Sequence, residues 1–343
     1  MKVDGNIGGT IDGTAGARLA DIRAQVATAE DVGYDGVWTA ETSHDPFLPL
    51  MLAAEQSAEL TLGTSIAVAF ARNPMTMAVT ANDLQSFSGG RFIIGLGTQI
   101  KPHIERRFSM PWSEPAKRMR EFIEAMHAIW DSWESGDRLS FRGDFYTHTL
   151  MTPMFSPGPN PWGPPSVMLA AVGPKMTSVA AEVADGLLVH GFTTERYFRE
   201  VTMTQVEAGL SISGRDRDQF SLIYPGFVAT GRDEAEFEAA CAGVRKQIAF
   251  YGSTPAYRGV LELHGWGELQ TELHALSLRG EWDTMAGLID DDVLNAFAVV
   301  GEPASVGAEI RRRFDGIADR FSIYAPYDLD DAVRRDVVSA LHS

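Results

Sequence analysis

SGGRFIIGLGT, residues 88–98, is the stretch that decides the fold of this chain. Ser88, Gly89 and Gly90 end an amphipathic helix, because glycine tolerates the left-handed conformation that a helix C-terminus requires. Residues 92–96 form an apolar run without polar alternation, which is typical of a parallel strand covered on both faces. Gly95 and Gly97 leave room for a close approach to the backbone at the C-terminal end of this strand. In an α/β barrel, that end is the active face.

Strand and helix patterns alternate on both sides of this stretch. Apolar residues at helical spacing predict helices at residues 18–32, 46–58, 74–87, 175–184, 194–210, 233–251 and 304–314. Eight strands are predicted in series, at residues 3–7, 36–40, 60–70, 92–96, 167–171, 186–190, 220–229 and 320–327. Such alternation indicates a parallel sheet. The expected fold is α/β, a TIM (β/α)8 barrel, and the alternative is a doubly wound open sheet.

A single domain over residues 1–343 fits this order, with a glycine-rich loop at 8–16. The length exceeds the roughly 250 residues of a minimal barrel, which leaves room for insertions around 98–165 and 251–300. In the first insertion we expect a loop at 101–111, a long helix opened by Ser113, and a hairpin around Arg142, Gly143 and Asp144. MFSPGPNPWGPP, residues 154–165, is a loop within the domain, because the strand and helix pattern resumes after it.

Composition excludes several classes of function. The net charge of −17, from 29 basic and 46 acidic residues, argues against a nucleic-acid binder. No apolar run approaches the roughly 20 residues that a membrane span requires, and the first residues lack the apolar core of a signal peptide. Cys241 is the single cysteine, so no intrachain disulfide can form, and we expect it to be a buried structural thiol. The expected compartment is the cytoplasm.

The glycine motifs point to an anion site more than to a dinucleotide fold. Gly95 and Gly97 lack the third glycine of the dinucleotide fingerprint. Gly173 and Pro174 follow a strand and precede a helix, where unpaired N–H groups and the charge of Lys175 would attract an anion. A plain strand-to-helix turn is the alternative. The chain has no Gly-x-Ser-x-Gly elbow of a serine hydrolase, and its histidines lack metal-binding spacing, so we expect no metal.

Two histidines are candidates for acid–base chemistry. His44 follows the second strand, where Glu41 and Asp45 could orient it or tune its pKa. A surface or structural histidine is the alternative there. His190 ends the sixth strand, at the end of the barrel where catalytic residues lie, although it could simply cap the strand.

Four blocks of this sequence together resemble the bacterial luciferase-like family. They are GYDGVWTAE (33–41), LTLGTSIAV (60–68), RNPMTMAVTANDLQSFSGGRFIIGLGT (72–98) and AAVGPKMTSVAAEVADGLLV (170–189). The family consists of TIM-barrel enzymes that use reduced FMN or the deazaflavin coenzyme F420. GTQIKPHIERRFSMPWS, residues 97–113, is most similar to its F420-dependent oxidoreductase branch.

The resemblance implies a set of site residues. Ser65 and Ile66 match a non-prolyl cis peptide whose bulge supports the cofactor ring, and Glu41 matches an acidic residue that contacts the deazaflavin. Val172, Gly173, Lys175 and Met176 match the contacts on the phosphate side. The remaining cofactor contacts implied by the resemblance are Val68, Thr98, Gln99 and His103.

The chain departs from the sugar-phosphate dehydrogenases of the family at three positions. Thr42 stands where they have a histidine, Ile100 where they have an acid–base glutamate, and Thr193 where they have the lysine that holds the sugar phosphate. A glucose-6-phosphate dehydrogenase is therefore disfavoured. The implied substrate pocket is apolar or aromatic, with Trp266 as a further candidate beside Phe70, Ile100, His190 and Phe192.

These inferences predict an F420-dependent oxidoreductase that transfers a hydride between the deazaflavin and a small apolar or aromatic organic substrate. His44 is the expected proton donor, with His190 or the substrate itself as alternatives. The rivals are an FMN-dependent monooxygenase and a non-catalytic flavin-binding protein. The expected partners are a small-molecule substrate and a second copy of the chain, and neither nucleic acid nor membrane.

Overall fold

The computed structural model describes residues 1–8 and 18–343, so most of the expected glycine-rich loop at 8–16 lies outside the described residues. Eight parallel strands form the barrel: β1 Lys2–Asn6, β2 Gly36–Thr39, β3 Thr61–Thr64, β4 Phe92–Gly97, β5 Ser166–Ala171, β6 Gly186–Val189, β7 Ser221–Ala229 and β8 Arg320–Tyr324. Each strand pairs with the next, and β1 pairs with β8, where Val3 lies opposite Phe321. This pairing closes the sheet. The predicted TIM barrel is therefore confirmed, and the open doubly wound sheet is wrong.

Helices lie outside the strands and cover the barrel with apolar side chains. Those of the barrel repeat are α1 Ile22–Val32, α2 Phe47–Gln56, α3 Pro74–Phe87, α4 Pro115–Ser135, α5 Pro174–Val183, α6 Met203–Ser213, α7 Glu234–Gly252, α12 Pro303–Phe314 and α13 Asp331–His342. A short turn, Glu195–Tyr197, leads through a π-helix at Phe198–Thr202 into α6, so the predicted helix at 194–210 contains a local change of winding. The alternation of strand and helix in the sequence is thus realised throughout the barrel.

The barrel interior holds an apolar layer and a buried ion pair. Trp38 and Leu188 belong to the layer, which also includes Met168 and Ile223. Asp4 has no exposed surface, and its carboxylate accepts bonds from Nε and Nη2 of Arg320 at 2.7 and 2.5 Å. The indole N–H of Trp38 donates to the same carboxylate at 2.9 Å. This network joins β1, β2 and β8 across the seam where the barrel closes.

The predicted strand at 60–70 is broken in the structure. β3 ends at Thr64, a cis peptide bond joins Ser65 to Ile66, and a short strand, Ala67–Val68, then pairs with β4. A short helical turn, Ala69–Ala71, follows. The continuous apolar run in the sequence hides this break, because the residues on both sides of it are buried.

The glycines of β4 accommodate this broken strand. A β-carbon on Gly95 would overlap the carbonyl oxygen of Thr64 and lie 2.6 Å from Cδ1 of Leu188. A β-carbon on Gly97 would lie 2.7 Å from Cδ1 of Ile66. The close approach that was predicted at these glycines is confirmed, and the approaching groups belong to the segment that follows β3.

The first insertion joins β4 to β5. The expected loop at 101–111 contains a π-helix, His103–Arg107. Ser113 does not cap α4; Glu114 occupies that position with a φ of 30° and forms no side-chain cap. The predicted hairpin is confirmed as a short antiparallel pair, Phe141–Arg142 with Thr147–His148.

Glu121 of α4 holds the hairpin turn in place. Its carboxylate accepts backbone N–H bonds from Asp144, Phe145 and Tyr146 at 2.8, 2.7 and 2.5 Å. The hydroxyl of Tyr146 in turn accepts a bond from Nε of Arg118. The hairpin is therefore fixed to α4 by charged side chains.

The second insertion lies over the ends of β6, β7 and β8. It contains α8 Arg258–Leu263, α9 Gly267–Arg279, α10 Trp282–Gly287 and α11 Asp291–Phe297. These helices and α7 share an apolar cluster with Phe192, Phe227 and Tyr324, which follow or belong to the barrel strands. Cys241 on α7 is half buried, where full burial was expected. No helix in the described part of the chain is long and apolar enough to cross a membrane.

Candidate active site

The implied site residues follow the C-terminal ends of five neighbouring barrel strands. Glu41 and His44 lie beyond β2, Ser65 beyond β3, Thr98 beyond β4 and Val172 beyond β5. The others follow the same strands or β6, namely Ile66, Val68, Phe70, Gln99, Ile100, His103, Gly173, Lys175, Met176, His190 and Phe192. Parallel strands present all these loops at one end of the barrel.

Glu41 fastens the β2 loop to the segment after β3. Its buried Oε2 accepts bonds from the backbone N–H of Val68 at 2.7 Å and from Nη1 of Arg72 at 2.6 Å. The backbone N–H of Glu41 donates to the carbonyl of Ile66 at 3.1 Å. The side chain therefore orders the backbone at the expected cofactor surface.

His44 is exposed, and the carboxylates expected to orient it are used elsewhere. Asp45 accepts the backbone N–H of Phe47 at the start of α2 and pairs with Nη2 of Arg72 at 3.2 Å. Glu41 pairs with the same guanidinium. The expectation that these two acids orient His44 is wrong, because Arg72 takes both of them within the described residues.

The backbone beyond β4 turns sharply. Gln99 has a φ of 59°, and its side-chain oxygen accepts the N–H of Ile100 at 3.0 Å. The hydroxyl of Thr98 donates to the carbonyl of Gln99 at 2.9 Å. Ile100 is 57% exposed, and His103, in the π-helix, is also exposed. The turn therefore places Ile100 at the rim of the barrel end.

The start of α5 is open around Gly173, although Pro174 has no N–H and the N–H of Met176 donates to the carbonyl of Gly173 at 3.2 Å. Gly173 caps the helix with an extended backbone, and a β-carbon on it would meet no atom within 4 Å. Lys175 is exposed and forms no salt bridge within the described residues, while Val172 and Met176 are half buried. An open helix N-terminus beside a free ammonium group fits an anionic phosphate.

His190 is held in a single neutral form. Its Nδ1 accepts the backbone N–H of Phe192 at 3.0 Å, so the ring proton lies on Nε2. Nε2 lies 3.1 Å from the hydroxyl oxygen of Tyr257 and donates to it. Burial lowers the pKa of His190 to about 4 and raises the pKa of Tyr257 to about 12. The sequence analysis missed Tyr257, because it belongs to the second insertion.

Phe70 and Phe192 are packing residues in this structure. Phe70 is fully buried against the edge of Trp112, with centroids 5.6 Å apart, and below the guanidinium of Arg118 at 4.5 Å. Phe192 stacks on Phe297 with a centroid distance of 4.5 Å. Trp266 stacks on His264. Both phenylalanines support the site from behind, one beyond β3 and the other beyond β6.

A narrow cleft lies between the ends of β5 and β6. It has room for little more than a single water molecule. Val172, His190 and Thr193 line it, together with Tyr197 from the turn that leads to α6. The cleft adjoins the Gly173 turn, and so it lies beside the expected phosphate site.

The neutral form of His190 leads to a pH-dependent prediction. An unfolded histidine titrates near 6.5, above the folded value of about 4, so the unfolded chain binds the proton more readily. Lowering the pH from about 6.5 to about 4 should therefore cost up to about 3 kcal/mol of folding free energy at this residue. Urea unfolding at several pH values should show that the free energy of unfolding falls more steeply with decreasing pH for the wild type than for His190→Gln. The same pH dependence in both proteins would contradict the neutral state assigned to His190.

No group of three or more histidine, cysteine, aspartate or glutamate side chains within residues 1–8 and 18–343 is arranged to hold a metal ion.

The closed TIM barrel and the cis peptide bond beyond β3 agree with the luciferase-like resemblance found in the sequence. The sequence model of the luciferase-like monooxygenase family matches residues 5–320, and the chain belongs to this family. An uncharacterized protein of Mycobacterium tuberculosis is 57% identical over 320 residues, which are 93% of this chain and 92% of that protein. The family resemblance found in the sequence is thereby confirmed.

More distant relatives include proteins named for F420. The F420-dependent glucose-6-phosphate dehydrogenase of Intrasporangium calvum is 27% identical over 329 residues, covering 91% of this chain and 90% of that enzyme. The coenzyme F420-dependent tetrahydromethanopterin reductase of Methanopyrus kandleri has the same fold, with a TM-score of 0.80 at 21% identity and coverage of 99% and 98%.

Proposed function

We propose that this protein is an F420-dependent oxidoreductase that transfers a hydride between the deazaflavin and a small apolar or aromatic organic substrate. The observation that carries the proposal is the open start of α5, where Gly173 leaves space and Lys175 is exposed and forms no salt bridge within the described residues. The relatives named for F420 support the choice of cofactor, and the cis peptide at Ser65 and Ile66 agrees with the surface that the resemblance implies for its ring.

Each loop has a separate part in this proposal. Residues 173–176 hold the phosphate through the first turn of α5 and the charge of Lys175. The segment from Ser65 to Val68, ordered by Glu41, lies against the ring, with Thr98, Gln99 and His103 beside it. Bound F420 supplies a carbon centre, C5, that accepts or donates a hydride.

The two histidines would act differently on protons. His44 is exposed beyond β2 and forms no hydrogen bond within the described residues, so its imidazole is available for proton delivery. His190 stays neutral at physiological pH, because its pKa is lowered to about 4 by burial. Its N–H is directed at Tyr257, so it orients that hydroxyl and does not supply a proton itself. We therefore keep His44 as the proposed proton donor.

Binding of F420 provides the test of this proposal. Wild-type protein titrated with F420, followed by absorbance, should bind it tightly, and Lys175→Ala should weaken the affinity about fivefold to tenfold because one ion pair with the phosphate is lost. Gly173→Ala should weaken it as well, since its methyl group enters the space at the start of α5 while contacting no protein atom. Both variants should unfold like the wild type.

Lys246→Ala is the matched control, since this lysine is exposed on α7 and, among the residues that the structure describes, pairs with Asp283 alone. It should bind F420 like the wild type. Tight binding of FMN without binding of F420 would overturn the proposal.

The family description as luciferase-like monooxygenases favours a second candidate, an FMN-dependent monooxygenase. Recovery of oxygenated product with reduced FMN and oxygen would support it, because a deazaflavin has carbon where a flavin forms its peroxide. Tight F420 binding without turnover across a broad substrate panel would instead support a non-catalytic flavin-binding protein.

We further propose that two copies of the chain associate in the cytoplasm. Leu48 and Met51 are exposed on α2, and Val79 and Phe87 are exposed on α3, which supports an apolar contact between copies. Sedimentation should report the mass of two chains, and the mass of a single chain would contradict the proposal.

A further inference from the structure

One arginine of the first insertion reaches the loop that carries His44. Arg107 is the last residue of the π-helix His103–Arg107, and its Nη2 donates to the carbonyl oxygen of Thr42. Thr42 follows β2 and Arg107 follows β4, so the bond passes the intervening strand β3. It therefore connects two loops at the active end of the barrel whose strands are not neighbours.

The π-helix restricts the direction of Arg107. The backbone N–H of Phe108 donates to the carbonyl of His103 at 3.0 Å, which closes the wide turn, and Ile104 anchors it because it has no exposed surface. The guanidinium of Arg107 lies over the ring of Phe108, 4.9 Å from the ring centroid. π-helices are rare and occur frequently at functional sites. This one directs a guanidinium at the backbone of another loop.

The two ends of the loop beyond β2 are held by other residues. Arg72 donates to Glu41 through Nη1 at 2.6 Å and to Asp45 through Nη2 at 3.2 Å. The hydroxyl of Thr39 donates to the carbonyl of Pro46 at 2.7 Å. The ends of the loop are therefore fixed independently of the π-helix.

The middle of this loop depends on Arg107. It consists of Thr42, Ser43 and His44. In the part of the chain that the structure describes, the bond to the Thr42 carbonyl is the one hydrogen bond that reaches these residues. A shift of the backbone at Thr42 therefore moves the imidazole of His44, which is attached two residues further on.

We propose that Arg107 is a positioning residue that holds the backbone of Thr42 and, through it, the imidazole of His44. The inference rests on the proposed function, in which His44 delivers the proton, and adds the residue that keeps this donor in place. A proton donor acts only within hydrogen-bond reach of the reacting group, so its loop must be held. Arg107 thus acts through His44 and touches neither substrate nor cofactor.

Backbone relaxation measured by NMR on the protein without cofactor tests the inference. Rigid backbone has an order parameter of about 0.85 and flexible backbone a value below about 0.6. The amides of Ser43 and His44 should be near the first value in the wild type and near the second in Arg107→Met, which keeps a long side chain but loses the donor. Arg107→Lys should restore the order, because its ammonium group can donate to the same carbonyl.

The ring signal of His44, assigned by its loss in His44→Gln, gives a second measurement. Adding oxidised F420 should shift this signal in the wild type, because we propose that the cofactor binds beside the loop. Arg107→Met should bind F420 like the wild type and lose most of this shift, since the imidazole is no longer held at the site. Arg107→Lys should keep the shift.

Arg106→Met is the matched control. Arg106 belongs to the same π-helix, is exposed, and forms neither a hydrogen bond nor an ion pair with any residue that the structure describes. The variant removes one positive charge from the same helix, as Arg107→Met does. It should leave the order parameters of Ser43 and His44 at their wild-type values.

Three results would overturn the inference. The first is an unchanged order parameter of His44 in Arg107→Met. The second is a loss of F420 affinity in this variant with an unchanged backbone at His44, because Arg107 would then bind the cofactor directly. The third is a clear drop in melting temperature, which would show that the bond serves the fold as a whole. Failure of the wild type to bind F420 would refute the proposed function alone, since the order parameters are measured without cofactor.

Discussion

Replacing Asp4 by alanine should lower the free energy of unfolding by about 3–5 kcal/mol. The substitution leaves the guanidinium of Arg320, which is 7% exposed, inside the barrel without a counter-charge. It also removes the acceptor for the indole N–H of Trp38. Urea unfolding of the wild type and the variant, followed by circular dichroism, measures this loss.

An exposed ion pair provides the comparison. Arg335 pairs with Asp31 at the surface, and Arg335→Ala should cost less than about 1 kcal/mol, because water screens exposed charges. The double variant Asp4→Leu with Arg320→Met should recover most of the lost stability, since it removes both buried charges. A loss below about 1 kcal/mol for Asp4→Ala alone would show that the buried pair is not needed to close the barrel.

Gly95→Ala should destabilise the protein by about 3 kcal/mol or more and should also weaken F420 binding. The added methyl group overlaps the carbonyl oxygen of Thr64 and lies 2.6 Å from Cδ1 of Leu188. The backbone after β3 must therefore move, and this backbone is the segment that we propose lies against the cofactor ring. Chemical unfolding and the F420 titration measure the two effects on the same preparation.

Gly287→Ala is the control for the added methyl group. Gly287 ends α10, and a β-carbon there meets nothing within 4 Å, so this variant should keep wild-type stability and F420 affinity. A Gly95→Ala protein that is as stable as the wild type would mean that the close contact between β3 and β4 is not required.

The periodic parts of the fold could be predicted closely. The helix at 74–87 has the predicted bounds, because asparagine caps it, proline opens it and glycines follow it. The break after Thr64 could not be predicted from pattern, since buried apolar residues continue on both sides of the cis peptide. The hydrophobic pattern of a sequence indicates which residues are buried. Because residues are buried both before and after the end of β3, the pattern does not mark that end.

The turn that carries Gly173 and Lys175 was predictable, because a single loop contains it. The anion site that chemical reasoning places there stays a prediction. Pairings between distant loops were not predictable. Arg72 takes both acids near His44, and Tyr257 lies 67 positions from its partner His190. Only the folded structure shows which distant residue forms the ion pair or hydrogen bond with a given charged group or hydroxyl.

The second insertion has a consequence for how this protein diverges from its relatives. It shares its apolar cluster with the ends of β6 to β8, whereas the proposed cofactor loops follow β2 to β5. Phe192 and Val260 therefore belong to both the insertion packing and the lining of the cleft. If the proposed function holds, a lineage that varies α8 to α11 would change the substrate that is accepted and keep the cofactor. Exchange of this one segment between relatives would then be a route to new substrates on an unchanged redox centre.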